Sequence, residues 1–207
     1  MPRTAEFDRT RALEGAMKLF WARGYHATPL PQLLEAMGIA RSSFYASFTD
    51  KRSVFEESLV LFAERTLQML HSVEIEQAPE TAPAAFFEQT LLRVSKKRSQ
   101  HGCMMVNTIL ESADVDADLS QLAARQLQKI ERRFETLFTH AQEQGRLSAA
   151  HSPAVLAQYV MNVNQGLRVS SRKGVSRAAL LETINTSLLM AGLTTVTAGE
   201  NNDCRNT

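Results

Sequence analysis

Apolar positions recur at intervals of three and four along most of the chain, and no segment alternates with the two-residue period of a half-buried strand. In residues 6–23 the recurring positions are Leu13, Ala16, Met17 and Phe20, with Gly24 following at a C-cap position. Short helices are predicted over 31–37, with Leu33, Leu34 and Met37 inward, and over 41–48. Asp50 is a good N-cap, and the helix after it, 51–72, carries Phe55, Leu59, Phe62, Thr66 and Met69 at helical spacing. "QAPETAP" then reads as a linker. Helices follow over 83–99, 102–113, 117–144, 153–172 and 176–192; the longest has Leu119, Leu122, Ile130, Phe134, Leu137, Phe138 and Ala141 in register, and Gly145 ends it. The expectation is an all-α protein of about nine helices. Residues 1–50 form a tri-helical head, 51–194 a larger helical domain entered through helix 51–72, and 195–207 a frayed polar tail.

Two short helices joined by Gly38, Ile39 and Ala40 and supported by a third make a helix-turn-helix pattern. Gly38 permits the left-handed backbone that so tight a turn uses, and Ile39 plugs the gap between the helices. Phe44 and Phe48, four apart, turn inward toward Phe20, Leu34 and Phe55. Arg41, Ser42, Ser43, Tyr45 and Ser47 then fall on the opposite surface, a thin polar edge suited to the major groove. Arg41 is the candidate for a bidentate contact to guanine, Ser43 for close approach to a base or phosphate, and Tyr45 for phosphate or a thymine methyl. Lys51, in the first turn of the next helix, and Thr28, ahead of the first short helix, are candidate phosphate contacts. The competing reading is a structural knob whose charged residues are only solvated.

Charge adds little. The whole 207-residue chain has a net charge of +1, while residues 1–55 carry eight bases against five acids, a slightly basic head on a slightly acidic body. No run approaches the roughly 18 apolar residues of a membrane span, and the charged start lacks the apolar core of a secretory signal, so a cytoplasmic location without membrane contact is expected. Cys103 and Cys204 lie far apart and outside metal-ligand spacing, so neither a disulfide framework nor a zinc site is expected, and no cofactor is indicated.

The segment "ALEGAMKLFWARGYHATPLPQLLEAMGIARSSFYASFTDKRSVFEESL" resembles the amino-terminal domain of TetR-family transcriptional regulators nearly end to end. That resemblance implies a homodimer binding a palindromic operator in double-stranded DNA, released when a small molecule occupies the carboxy-terminal domain. It puts Thr28, Arg41, Ser43, Tyr45 and Lys51 where the family contacts DNA. Thr49 departs from the glycine or serine common there, and a share in capping the next helix with Asp50 is expected of it.

In the later half, Leu156, Tyr159, Val163, Gly166 and Leu167 share one helical stripe and Leu181, Ile184 and Leu188 another. Such a pair packs either against its twin as a four-helix bundle, the dimer interface that the resemblance implies, or inside its own chain. The segment "QHGCMMVNTILESAD" is similar to one in the ComR and NemR branches of the family. It would put Cys103 in a first helical turn near His101, Lys96, Lys97 and Arg98, where a thiol is activated, unless it is a small buried hydrophobe. Thiolate and thioether suit Cu(I), yet adjacent methionines point about 100° apart and one site can hardly use Met104 and Met105 together. A noncovalent effector pocket would be sought among Phe86, Phe87, Cys103, Met104, Asn107, Phe134, Phe138, Tyr159 and Asn162, all of which could equally be core. Trp21 reads as packing, and His26 and His140 have no partner at catalytic spacing. No phosphate loop, nucleophile elbow, HExxH or paired-carboxylate motif occurs, which argues against an enzyme. The alternative to a regulator is a ligand- or partner-binding helical protein whose head no longer binds DNA specifically.

Overall fold

Asp8 opens the first helix by accepting the Arg11 N–H at 3.1 Å, satisfying one of the donors that a helix start leaves free. The computed structural model describes residues 8–196, and every regular element among them is helical. The head consists of α1 (Arg9–Arg23), α2 (Leu30–Met37) and α3 (Arg41–Ser47), leading into α4 (Lys51–Glu76). The expected start of the first helix at residue 6 lies outside the described residues, as does nearly all of the expected tail.

Gly38 (φ 67°, ψ 31°) ends α2 in the left-handed region. Its N–H reaches Glu35 O at 3.1 Å and the Ile39 N–H reaches Leu34 O at 3.2 Å, the paired bonds of a Schellman motif. That turn aims α3 away from α2. Asp50 and Ser53 form a reciprocal capping box at the head of α4 (Ser53 N–H to Asp50 Oδ1, 2.8 Å; Asp50 N–H to Ser53 Oγ, 3.2 Å), so Thr49 has no part in the cap expected of it.

α4 runs roughly 39 Å at 1.5 Å per residue, packing on α1 near its start and on α8 (Ala117–Glu143) further along. α7 (Met104–Ser112) also lies on α8, which packs in turn on α9 (Pro153–Arg172), and α9 on α10 (Arg177–Met190). Caps by Asp116, Ser152 and Ser176 start these last three.

The region expected as one helix over 83–99 is divided. A 3₁₀ turn (Pro79–Thr81) leads into α5 (Ala82–Phe87), which widens into a π turn over Glu88–Leu92; the chain breaks at 93–95, and a four-residue α6 (Lys96–Ser99) follows. The break leaves the Thr90 carbonyl without a helical donor, and Nη1 of Arg168 supplies one at 3.0 Å from α9. Periodicity within 83–99 carries no trace of a partner so distant in sequence.

Candidate nucleic-acid interface and ligand cavity

On α3 the inward residue is Phe44, fully buried, with the Phe48 ring beyond it at 5.7 Å between centroids. The Arg9 guanidinium sits 4.5 Å over Phe48 and covers it from outside. Beneath, Phe20 meets Phe55 edge-to-face at 4.9 Å. Arg41, Ser42 and Tyr45 are exposed on the far side, with the Arg41 guanidinium 5.9 Å from the Tyr45 ring. Ser43 and Ser47 are half-buried flanks of this edge, whose middle includes the exposed Ala46.

Two expected contacts sit differently. Thr28 is fully buried and donates its hydroxyl to Gly24 O at 2.7 Å, so it closes the α1–α2 turn instead of offering its side chain to phosphate. Lys51 lies half-buried at the start of α4 with its ammonium 4.3 Å over the Tyr25 ring. Burial lowers its pKa, and Glu111 works against that shift.

The turn after α1 is held by α7 from the other half of the molecule. Glu111 accepts the N–H of His26 at 2.9 Å and of Tyr25 at 3.4 Å. Just beyond α7, Asp116 pairs with both ends of the Arg52 guanidinium, one contact at 3.0 Å, which holds the Asp116 carboxyl below the usual range. Trp21 Nε1 donates to Gly102 O at 3.0 Å, beside Cys103. Trp21 is therefore more than packing inside the head: it bridges to the loop before α7.

A cavity of about 220 Å³ opens between the head and the body. Met17 and Trp21 of α1 form one wall, Phe62, Thr66 and Met69 of α4 another, and Gln89, Thr90 and Val94 of the π turn and break a third. Phe86 and Cys103 line it as expected. The other expected pocket residues do not. Phe87, Met104, Phe134 and Phe138 are core, with Phe134 packed edge-to-face behind Phe86 at 5.3 Å. Asn107 holds His101 O and the Arg172 guanidinium, Tyr159 donates to Ser187 O at 3.1 Å, and Asn162 is exposed on the outer face of α9. Cys103 is the buried N-cap residue of α7, one position before its first turn. Met105 faces the cavity and Met104 does not, as the angle between adjacent helical residues requires.

Sequence reasoning missed Arg168 and Asn164 in this wall. Four apart, they fall on the inward face of α9 with Met161, Leu167 and Ser171. Two polar residues at that spacing within a buried stripe were the available signal.

The interface stripe is also turned. Leu156, Leu167, Ile184 and Leu188 are buried within their own chain, where α9 meets α10, and Tyr159, Val163 and Leu181 are half-buried. The outward line on α9 is Val155, Asn162, Gly166 and Val169, and on α10 Leu189 and Met190 are exposed. Successive helical residues stand about 100° apart, so a one-residue shift along α9 exchanges an inner stripe for an outer one.

Residues 12–58 match the family model of the bacterial regulatory proteins of the tetR family, and residues 84–196 that of the tetracyclin repressor-like C-terminal domain. The chain belongs to the TetR family of transcriptional regulators. It is 30% identical over 185 residues to the HTH-type transcriptional repressor ComR of Escherichia coli, covering 88% of each chain. The HTH-type transcriptional regulator YezE of Bacillus subtilis is 25% identical, over 91% of this chain and 98% of its own. Among solved structures, a cysteine mutant of the TetR-family regulator CifR, in complex with 26-bp double-strand operator DNA, is 27% identical. It superposes with a TM-score of 0.78 over 90% of this chain and 97% of its own. Reduced NemR of Escherichia coli, 18% identical with a TM-score of 0.76, shares the fold. Among the described residues no helix is long and apolar enough to cross a membrane.

Proposed function

We propose that this chain is a homodimeric repressor that binds a palindromic operator through paired α3 helices and leaves it when an effector fills the cavity between head and body. The carrying observation is the construction of α3. Phe44 and Phe48 pin it from within, and Arg41, Ser42 and Tyr45 stand free on the outside, flanked by Ser43 and Ser47. Residues 1–50 act as the reading head, 51–194 as the regulatory and dimerising body with its first helix as the connection. Lys51 and the backbone around Thr28 approach phosphate. The effector enters beside Met17 and Trp21, so its presence bears directly on the helix that supports α2 and α3. A thiol-reactive effector is the second route, favoured by Cys103 in the same wall.

Gel shifts at fixed salt on DNA upstream of the gene test the reading. The wild type should select one fragment, and Arg41→Ala should lose about 1–3 kcal/mol of discrimination at one base position. Equal loss on every sequence would move Arg41 to phosphate, and an interaction that is nonspecific and erased by salt would favour the partner-binding alternative. For the thiol route, a cysteine reagent should release the wild type but leave Cys103→Ser on DNA.

A further inference from the structure

We infer that the cavity takes an amphipathic organic monoanion, a carboxylate with an apolar body, received by the guanidinium of Arg168. The inference rests on the reading of this cavity as the effector site and names the chemistry of its occupant.

Arg168 is 7% exposed. Its Nε donates to Asn164 Oδ1 at 3.3 Å and its Nη1 to Thr90 O at 3.0 Å, both neutral acceptors. No described carboxylate pairs with it, and no described acceptor takes Nη2. Buried arginines are ordinarily paired, because a desolvated charge without a counter-ion is costly.

The cavity wall contains three arginines, Arg65, Arg98 and Arg168, and no aspartate or glutamate. Arg65 is already paired with Glu14, and Arg98 is exposed, 5.3 Å over the Trp21 ring. One interior cation is therefore left unmet, which calls for one negative charge. A second charge, as on a phosphate diester chain or nucleotide, would have no buried partner. The planar fork of a guanidinium suits the two oxygens of a carboxylate. Most of the remaining wall, including Met17, Trp21, Phe62, Met69 and Ile130, is apolar, and its polar members Thr66, Gln89, Thr90 and Asn164 are uncharged, so a bare inorganic anion would leave most of the cavity unfilled. The rival counter-ion is the Cys103 sulfur as a thiolate, which would satisfy Arg168 without any ligand.

The test uses the full-length protein, calorimetry and thermal unfolding. The probes are octanoate and 4-phenylbutyrate, set against octan-1-ol, 4-phenylbutan-1-ol, octylamine and acetate. The acids should bind at least about tenfold more tightly than the alcohol or amine of equal length, and acetate should give no saturable heat. Arg168→Gln should abolish the preference for the acids, while Cys103→Ala should keep it. The charge series on the wild type decides the matter even if Arg168→Gln does not fold. Equal or tighter binding of an alcohol or amine, unchanged acid binding by a folded Arg168→Gln, or no binding of either acid would overturn the assignment. Gel shifts separate the two ideas. An acid that binds without freeing DNA upholds the anion site and removes the effector reading. An alcohol that frees DNA where the acids do not upholds the effector reading and removes the anion.

Discussion

A methyl group on Gly15 would stand 2.0 Å from the Ala36 carbonyl oxygen and 2.9 Å from its carbon, so the absence of a side chain lets α1 and α2 touch backbone to backbone. In an unpacked helix Gly→Ala stabilises by about 1 kcal/mol. Here the obstacle is backbone that cannot swing aside, and relieving it means separating the two helices. Gly15→Ala should therefore lower stability by about 1–3 kcal/mol and weaken operator binding without touching DNA, read by denaturant unfolding and gel shift. A raised melting temperature would show that the helices separate freely. The anchoring role of Phe44 and Phe48 was legible because four-residue spacing puts both on one face. The role of Gly15 was not, since a close approach depends on a partner helix whose position the local pattern does not contain. Thr28 was misassigned for the same reason: a threonine before a helix reads as available until the turn folds over it.

Among the elements, α7 links the two halves. Cys103 at its start touches the cavity, Glu111 near its end holds the turn leading into α2, and Asp116 beyond it holds Arg52 of α4. Removing the carboxylate in Glu111→Ala should speed hydrogen exchange at the Tyr25 and His26 amides by about tenfold, with α8 amides unchanged. Unaltered protection would mean that water replaces Glu111 without loss. The loop before α7 also responds to pH. His101 is partly buried against Trp21 and faces Lys97, Arg98 and Arg172; burial first, then those cations, hold its pKa below the ordinary 6.5. The unfolded chain therefore takes up this proton first, so the contribution of His101 is complete above about pH 6.5 and is lost as pH falls below it. His101→Gln should lose less melting temperature than the wild type between pH 7.5 and 5, and equal losses would exclude His101 as the source. The start of α7 was expected at Gly102 with Cys103 inside the first turn and lies two residues later with Cys103 as the N-cap, whereas the break after Leu92 was not legible at all. No glycine or proline marks residues 93–95, and the donor that stabilises the break comes from α9.

For the whole molecule, the question is what covers α9 and α10. On α9, Val155 and Val169 are 53% and 54% exposed and a Cβ on Gly166 would meet nothing within 4 Å; on α10, Leu189 is 67% and Met190 81% exposed. A head with one reading helix fills one half-site, and two half-sites about 34–36 Å apart require a two-fold partner. The outward stripe is a surface on which a second copy can pack isologously, residue against its own symmetry mate. Periodicity announced a pair of apolar helices here, but each carries apolar residues on two faces, and only the packed chain separates the inner set from the outer. Because Val169 contributes little to its own chain, Val169→Glu should fold with unchanged helicity. In the proposed homodimer a carboxylate facing its like across the two-fold axis should split the pair, giving half the mass by light scattering. Operator affinity should then fall to that of a single half-site, with the fragment shifting only at concentrations where nonspecific binding also occurs. A variant that keeps the dimer mass and full operator affinity would move the interface off this stripe, and the geometry relating the two α3 helices would have to be rebuilt around another face.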